Sequence, residues 1–274
     1  MDIKREINSF QASKPLPSEE RVYNNYPIYA PAPINSQDIL TSIKHKFESE
    51  VVGYDKVKRL VMKIIKAGIE NPQYKKIHLD LDGAPATGKT FIMQTIFEAI
   101  GADQCIWYDA TMSTQVGLLD HFVSMGSKLK NIRYVCLDEL DKMKKEYQYG
   151  VLNATESGYM METKYGRHRE VKTGHMTFFA TSNYIEKIIE PLRSRFMIYN
   201  FPEYTPQQFQ HVAMTILTNK FKFKPNYAQQ IIDAVRNEIP NCTIRTIRQV
   251  ATLIENESDV KETIEIFKNT TEYH

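Results

Sequence analysis

One segment of eight residues limits the folds open to this chain more than any other. Residues 83–90 read Gly-Ala-Pro-Ala-Thr-Gly-Lys-Thr, directly after a strand-like run and directly before a helix-like run. Glycines in such a loop let backbone N–H groups curl around phosphate oxygens at the amino end of a helix. The pattern therefore predicts a strand, a loop and a helix that hold a nucleoside triphosphate by its phosphates.

The residues of this loop have distinct chemical roles. Lys89 can reach the β- and γ-phosphates, and the Thr90 hydroxyl can coordinate Mg²⁺. The alternative is a glycine turn that carries a lysine by coincidence, and the strand and helix on either side argue against it. The other predicted nucleotide contacts in and beside the loop are Pro85, Ala86, Thr87, Gly88 and Phe91.

A second motif is the apolar run at 134–137 that ends in Asp138 and Glu139. If this strand ends beside the phosphate loop, Asp138 can hold Mg²⁺ directly or through water, and Glu139 can polarise the attacking water. An apolar run followed by two acids is common, and a strand that leaves into a solvated loop is the alternative. The upstream phosphate loop favours the catalytic interpretation.

The order of the predicted elements indicates an α/β fold. Strands separated by helical crossovers predict a five-stranded, mainly parallel sheet with flanking helices. The first strand alternates apolar and polar residues where a buried parallel strand is usually apolar throughout, and the sequence offers no reason for this. The five predicted strands lie at 77–82, 105–109, 132–137, 176–181 and 196–201.

Changes of pattern divide the chain into three predicted parts. Residues 1–36 contain five prolines among polar residues and tyrosines, which predicts an extended arm. This arm is either a disordered leader or a strap that packs on this subunit or on a neighbour. Residues 37–203 form the predicted α/β domain, and exclusively helical patterns predict a small all-helical domain over 204–274.

Composition excludes several classes of protein. The chain has 35 Lys and Arg against 33 Asp and Glu, so any nucleic-acid surface would have to be a local patch. Cys105, Cys136 and Cys242 lie far apart, which favours reduced thiols over disulfides or a metal site. No apolar run approaches the roughly 18 residues of a membrane span. We therefore expect a soluble, cytoplasmic protein without membrane contact.

With these two motifs, the chain resembles the AAA+ ATPase superfamily from about residue 37 onward. The resemblance implies ATP and Mg²⁺ as ligands, a core domain with a helical lid, and a homo-oligomeric ring, with a hexamer as the expected size. Residues 178–183 look like the family's strand that ends in sensor 1, so Asn183 would orient the attacking water. The alternative is an asparagine that caps a turn.

Two arginine segments extend the resemblance. Residues 191–196 are similar to the arginine-finger segment of clamp loaders and of the bacterial Holliday-junction branch-migration motor, with Arg195 the better fit and Arg193 the second choice. Such a finger would act on ATP held by the next subunit, because its planar guanidinium can neutralise charge on the γ-phosphoryl oxygens. Residues 242–248 are similar to the lid segment that carries sensor 2, which assigns Arg245 to the phosphates. The alternative for Arg193 and Arg195 is that they form surface ion pairs. The alternative for Arg245 is a position on a solvated helix face.

The resemblance also suggests an adenine contact and a pore. Residues 51–54 look like the loop that packs on adenine, with Val52 and Gly53 as contacts. A predicted hairpin around 165–166 carries basic residues where nucleic-acid motors can point a hairpin into the pore, and basic side chains there could track DNA phosphates. A solvated hairpin is the alternative. The basic residues are Lys164, Arg167, Arg169 and Lys172.

The functional hypothesis is an ATPase that remodels or translocates a macromolecule. DNA is the first candidate client, a protein the second, and a nucleotide-dependent scaffold with little turnover the third. Residues 114–119 are a second pore candidate. They lack the aromatic loop with which many protein unfoldases grip a polypeptide, which argues against unfoldase activity. The branch-migration motor carries a winged-helix domain after its lid, whereas this sequence ends at His274, so branch migration itself is not expected.

Overall fold

The structure is a computed structural model that describes most of the chain after the predicted arm. It describes residues 36–271 except 72, 73, 75, 112–114, 165, 166, 257 and 258. The arm predicted over residues 1–36 therefore lies outside the described residues, apart from Ser36, where the first helix begins.

The strands form one parallel sheet and one hairpin. The sheet has the order β2-β3-β6-β1-β7, and each neighbouring pair is parallel. The antiparallel hairpin consists of β4 and β5. The five-stranded parallel sheet predicted from the sequence is therefore confirmed. The strands are β1 His78–Asp82, β2 Cys105–Asp109, β3 Tyr134–Asp138, β4 Tyr159–Lys164, β5 Arg167–Lys172, β6 Thr177–Ser182 and β7 Phe196–Asn200.

Helices connect the strands and continue after the sheet ends. Short 3₁₀ turns follow α4, β3 and β6, and a π-helical turn at Ile216–Lys220 extends α7. The helices are α1 Ser36–Glu50, α2 Asp55–Glu70, α3 Lys89–Ile100, α4 Gln115–Met125, α5 Lys145–Glu156, α6 Glu190–Arg193, α7 Pro206–Thr215, α8 Pro225–Glu238, α9 Ile244–Leu253 and α10 Val260–Thr271.

Side chains of the sheet alternate between two hydrophobic clusters, one on each face. On β3, Val135 and Leu137 face the cluster that contains α4 and α5. Tyr134 and Cys136 face the cluster that contains α1, α2 and α3. Because successive residues of a strand point to opposite faces, helices on both sides produce the almost continuous apolar run of β3.

The second pore candidate, residues 114–119, contributes two residues to the core. Helix α4 begins at Gln115, and Leu118 and Leu119 are 1% and 0% exposed in the hydrophobic cluster on that face of the sheet. Burying two leucines stabilises the fold by about 1.5–3 kcal/mol each, so Leu118 and Leu119 belong to the core rather than to an exposed loop.

The alternating strand β1 is buried in spite of its polar residues. His78 is 6% and Asp80 1% exposed. The Nδ1 atom of His78 accepts a hydrogen bond from the backbone N–H of Phe178 at 3.1 Å, and burial lowers the pKa of this histidine to about 4. His78 and Asp80 are therefore buried polar residues of the core rather than part of an exposed face.

The helices after the sheet pack around a hydrophobic cluster of their own, with residues from α7 to α10. Thr205 caps α7, since its hydroxyl accepts from the N–H of Gln208 and the Gln208 side chain accepts in return from the N–H of Thr205. Thr243 and Thr246 form the same reciprocal cap at α9. The exclusively helical C-terminal region is confirmed, while its treatment as a separate domain from residue 204 stays a prediction.

None of the helices in the described part of the chain combines the length and the apolar composition that a bilayer crossing requires.

Candidate functional site

A cleft of about 1070 Å³ lies where the phosphate loop, the carboxyl ends of β3 and β6, and the C-terminal helices meet. Ligands of open parallel sheets bind outside the carboxyl ends of the strands. Of the residues predicted from the sequence, those that line this cleft are Val52, Pro85, Ala86, Thr87, Gly88, Lys89, Thr90, Phe91, Glu139, Asn183 and Arg245. The fold therefore brings predicted residues from five separate segments of the chain into one cleft.

Two glycines of the loop are required by close contacts. Gly83 has φ 151°, and a Cβ there would lie 2.4 Å from the carbonyl oxygen of Phe201. Gly88 has φ 97°, and a Cβ there would lie 2.8 Å from the Tyr204 hydroxyl. Both positions also have backbone conformations that L side chains rarely adopt. The loop passes so close to residues 201–204 that any larger residue at these positions would displace it.

The Lys89 side chain is folded back on the loop. Its Nζ donates to the carbonyl oxygens of Gly83 at 2.6 Å and Ala84 at 2.7 Å. Burial lowers the pKa of Lys89. Nearby carboxylates oppose this shift, and Asp82 has the largest opposing effect. An amine held at the start of helix α3 by neutral carbonyls can exchange them for phosphate oxygens, which are stronger acceptors.

Thr90 and Asp138 meet although they are 48 positions apart in the chain. The Thr90 hydroxyl donates to Asp138 Oδ1 at 3.0 Å, and Thr181 on β6 donates to the same oxygen at 2.6 Å. A hydroxyl and a carboxylate side by side are the hard oxygen ligands that Mg²⁺ prefers, with phosphates and water completing its shell. The described residues contain no cluster of three or more acidic, histidine or cysteine ligands, so these two donors fit Mg²⁺ bound together with a nucleotide.

Glu139 adopts a left-handed backbone conformation with φ 57°. Such a conformation costs a non-glycine residue about 1–2 kcal/mol. The hydrogen bond from the Glu139 N–H to the Thr181 hydroxyl, at 2.9 Å, helps to hold it. The carboxylate accepts from Lys142 Nζ at 2.8 Å, and this contact raises the pKa of Lys142. The turn directs the Glu139 side chain into the cleft beside the phosphate loop.

Asn183 directly follows β6 and lines the cleft. Its backbone N–H donates to Asp141 Oδ1 at 3.2 Å, which ties the end of β6 to the turn after β3. The side chain is half-buried and lines the same cleft as Glu139.

An aromatic group beneath the loop was not predicted from the sequence. The Tyr54 hydroxyl donates to the carbonyl oxygen of Thr87 at 2.7 Å, and its ring lies 4.2 Å from that of Phe201 and 5.3 Å from that of Tyr204. Burial raises the pKa of Tyr54 well above its usual range, so it remains a neutral donor. These contacts join residues far apart in the chain, and no local pattern signals them.

The two predicted adenine contacts, Val52 and Gly53, differ in their position relative to the cleft. Val52 lines the cleft, whereas Gly53 is not among its lining residues. Gly53 has φ 72° and Tyr54 has φ 56°. Two successive left-handed residues turn the chain so that the tyrosine packs under the phosphate loop, which gives Gly53 a backbone role in the turn.

Basic residues of the C-terminal helices also line the cleft. Arg245 was predicted, but Arg248 and Lys220 line the cleft as well. Arg248 lies three positions after Arg245 on α9, and residues three apart share a helix face. This spacing is a signal that could have identified Arg248 from the sequence.

Arg195 lies outside the cleft. It is exposed, and its guanidinium forms an ion pair with Glu156 at the end of α5 of the same chain. Arg193, the second choice, is half-buried and is likewise not among the residues that line the cleft. Neither arginine therefore lines the cleft of its own chain.

The predicted basic hairpin exists as β4 and β5, although residues 165 and 166 and the side chains of Lys164 and Arg167 lie outside the described part. Arg169 forms an ion pair with Asp120 of α4. The Lys172 amine lies 6.0 Å from the centre of the Tyr159 ring. The two described basic residues therefore have intramolecular contacts of their own.

Comparison with known proteins agrees with this geometry. Residues 80–203 match the AAA family model, described as the ATPase family associated with various cellular activities. The chain is 27% identical over 241 residues to a Lon protease of Lachnoclostridium phytofermentans, covering 80% of this chain and 30% of that protein. A Lon protease of Mycoplasma mycoides gives the same identity and coverage. The chain therefore spans 30% of the length of these curated relatives.

Among solved structures, the chain resembles the Thermotoga maritima RuvB Holliday junction branch migration motor. The TM-score is 0.57, with 17% sequence identity, and the similarity covers 82% of this chain and 73% of that one. At this identity the similarity shows a common fold. The parallel sheet with its phosphate loop and flanking helices is the AAA+ P-loop fold.

Proposed function

We propose that this chain, which carries an AAA domain, binds ATP together with Mg²⁺ in the cleft and hydrolyses the ATP. The observation that carries the proposal is the contact between the Thr90 hydroxyl and Asp138 Oδ1 at 3.0 Å. It joins the phosphate loop to the acidic strand end, so the phosphate-binding and water-activating groups share one cleft. The full set of loop residues, acids and Asn183 argues against a scaffold that binds ATP without turnover.

The residues of this chain would divide the reaction as follows. The loop N–H groups and Lys89 bind the phosphates, and Thr90 and Asp138 hold the metal, which neutralises charge on the β- and γ-phosphate oxygens when bound. Asn183 orients the attacking water, and Glu139 accepts its proton. For that step the Glu139 carboxylate must exchange its hydrogen bond with Lys142 for one to the water. Arg245 would contact the phosphates from the C-terminal helices.

A ring of identical subunits would complete this site. Arg195 is exposed and lies away from the cleft of its own chain, which suits a finger that reaches ATP on a neighbour. We propose a hexamer as the ring, with Arg195 as the finger and Arg193 as the second choice. The ion pair with Glu156 would have to open when the finger engages.

Mixing two inactive variants should restore turnover. Arg195→Ala should bind ATP but not hydrolyse it, because one guanidinium finger contributes about 10³-fold or more to turnover. Lys89→Ala should lack a working phosphate site but retain its finger. Mixed rings contain interfaces with a complete site, so phosphate release should rise above that of either variant alone.

Glu156→Gln is the matched control for the Arg195 substitution, because it breaks the same ion pair and leaves the guanidinium in place. Its turnover should stay close to that of the unmodified protein. If mixed oligomers form, as shown by size-exclusion chromatography with light scattering, and no turnover returns, the shared site is wrong.

Two classes of client are candidates. DNA is supported by the basic residues of the β4–β5 hairpin, which could follow phosphates without reading bases. A polypeptide client is supported by the 27% identity to Lon proteases over 80% of this chain. The pairing of Arg169 with Asp120 weakens the case for DNA, since it reduces the positive charge that the hairpin presents.

Phosphate release from ATP, measured with purified protein, tests the activity and separates the two clients. If DNA is the client, single-stranded or duplex DNA should stimulate turnover, and an unfolded protein should not. Arg169→Glu should then weaken DNA binding by about tenfold and lower its dependence on salt, since one phosphate contact becomes a repulsion. Asp120→Asn breaks the same ion pair but leaves the arginine, and it should not weaken binding.

Stimulation by unfolded protein alone, with no effect of DNA or of Arg169→Glu, would contradict the DNA hypothesis and favour the polypeptide client. Absence of ATP hydrolysis with either client present would contradict the proposed activity itself.

A further inference from the structure

Two aspartates of β1 share a single hydroxyl group. The Ser182 Oγ lies 2.8 Å from Asp80 Oδ2 and 3.0 Å from Asp82 Oδ1. Both distances are those of a hydrogen bond. A serine hydroxyl has one proton, and two ionised carboxylates have none to offer. If both carboxyls were ionised, the two would have to share this one proton, whereas a proton on one carboxyl would make both contacts full hydrogen bonds.

Asp80 is the carboxyl group with the stronger reason to be neutral. It is 1% exposed, and its second oxygen, Oδ1, has no hydrogen-bond partner among the described residues. The cation that faces it, Lys89, donates instead to the carbonyl oxygens of Gly83 and Ala84. A buried charge without a paired cation or a full set of hydrogen bonds is strongly unfavourable, whereas a neutral carboxyl needs fewer partners.

We propose that Asp80 carries a proton in the native protein and that the chain Asp80–Ser182–Asp82 locks the end of β6 to the end of β1. The carboxyl Oδ2–H of Asp80 donates to Ser182 Oγ. The Ser182 hydroxyl donates in turn to Asp82, which remains ionised. The alternation of β1, unexplained by the sequence, supplies the two carboxyls of this chain, since Asp80 and Asp82 lie on the same side of the strand.

The locked strand ends adjoin the nucleotide site. The carbonyl oxygen of Ser182 accepts from the N–H of Gly83 at 3.2 Å, which is the first residue of the phosphate loop. The next residue, Asn183, is held by Asp141. Asp80 does not line the cleft, so it is a positioning residue that acts through Ser182. Its effect on ATP rests on the proposed function, whereas its protonation does not.

The charges around Asp80 make the lock sensitive to pH. The pKa of Asp80 is raised to about 7, mainly by burial. The hydrogen bond from Ser182 to the ionised carboxylate and the positive charge of Lys89 lower this pKa, whereas the negative charges of Asp82 and Asp141 raise it. Because the folded pKa lies above the ordinary value of 3.8, this group's contribution to stability is complete below about pH 4. It is lost as the pH rises to about 7. Above that pH both carboxylates are ionised, so they repel each other and share the single proton of the Ser182 hydroxyl.

Carbon-13 labelling of the aspartate carboxyls in the unmodified protein tests the protonation directly. One carboxyl carbon should titrate with a midpoint near pH 7, and its signal should be absent in Asp80→Asn. If no carboxyl titrates near neutral pH, or if that signal survives in Asp80→Asn, the proposal is overturned. This measurement requires neither ATP binding nor turnover.

Asp80→Asn also tests the positioning role, because an amide keeps a neutral donor toward Ser182 and cannot titrate. The melting temperature of the unmodified protein should fall relative to Asp80→Asn by on the order of 5 °C between pH 5 and pH 8. ATP affinity should weaken several-fold more in the unmodified protein than in Asp80→Asn between pH 6.5 and pH 8.5. Asp103→Asn, an exposed aspartate, is the control and should follow the unmodified protein in both measurements.

Equal pH dependence of ATP affinity in the unmodified protein and Asp80→Asn would overturn the positioning role, even if the carboxyl titrates near pH 7. Failure of every form to bind ATP would instead count against the proposed function, while the carboxyl titration would still decide the protonation.

Discussion

Glu139→Gln should stop ATP turnover while ATP binding remains. Glutamine has nearly the same shape and can still accept from Lys142, but its amide cannot take a proton from the attacking water. Positioned general bases contribute about 10²–10⁴-fold to turnover, so we expect kcat to fall by at least 100-fold with little change in the Kd for ATP. Phosphate release and equilibrium titration with ATP measure these two quantities separately.

Glu146→Gln is the matched control, since Glu146 is an exposed glutamate in the first turn of α5. It should retain full turnover. If the Glu139→Gln protein hydrolyses ATP at an unchanged rate, Glu139 is not the general base. Asp141, the other acid of the turn after β3, would then be the next candidate for that role.

Lys89→Ala should lose ATP affinity as well as turnover. The buried Lys89 amine donates to two loop carbonyls in the structure and would exchange them for phosphate oxygens. A hydrogen bond to a charged group is worth about 1.5–3 kcal/mol, which corresponds to a Kd higher by about 10- to 150-fold. Titration with ATP and phosphate release measure both effects, and we expect turnover to fall below detection.

Lys220→Ala is the control for Lys89→Ala. Lys220 lines the same cleft from the π-helical turn but is exposed, so its loss should change the Kd only slightly. Equal losses in the two variants would mean that the cleft attracts ATP by its total charge, and the specific role of the phosphate loop would be wrong. Circular dichroism of both variants checks that the fold is intact.

The contiguous motifs were predictable because their chemistry depends on neighbours in the chain. Glycines that admit a phosphate, a lysine behind them and a hydroxyl for the metal must follow one another in a loop. The strand that ends in Asp138 and Glu139 is local in the same sense. Asn183 could be placed only by resemblance to a family, since a single asparagine after a strand can equally well cap a turn.

Other predictions depended on contacts that no local pattern encodes. Residues 114–119 were expected as a pore candidate, but the described part of that segment begins helix α4 and buries Leu118 and Leu119. Arg195 was expected as a finger, and the structure shows its ion pair with Glu156, 39 positions earlier in the chain. That ion pair leaves the finger role untested.

Residue type and spacing along the chain were enough to predict the loop at 83–90, the strand that ends in Asp138 and Glu139, the parallel sheet and the helical C-terminal region, because these features are encoded locally. The contacts between distant side chains could be read only from the folded chain. Thr90 finds Asp138 at a separation of 48 positions, and Asp80 finds Ser182 at a separation of 102. Parallel strands bring such residues together at one edge of the sheet, and burial there determines which carboxyl holds a proton and which holds a charge.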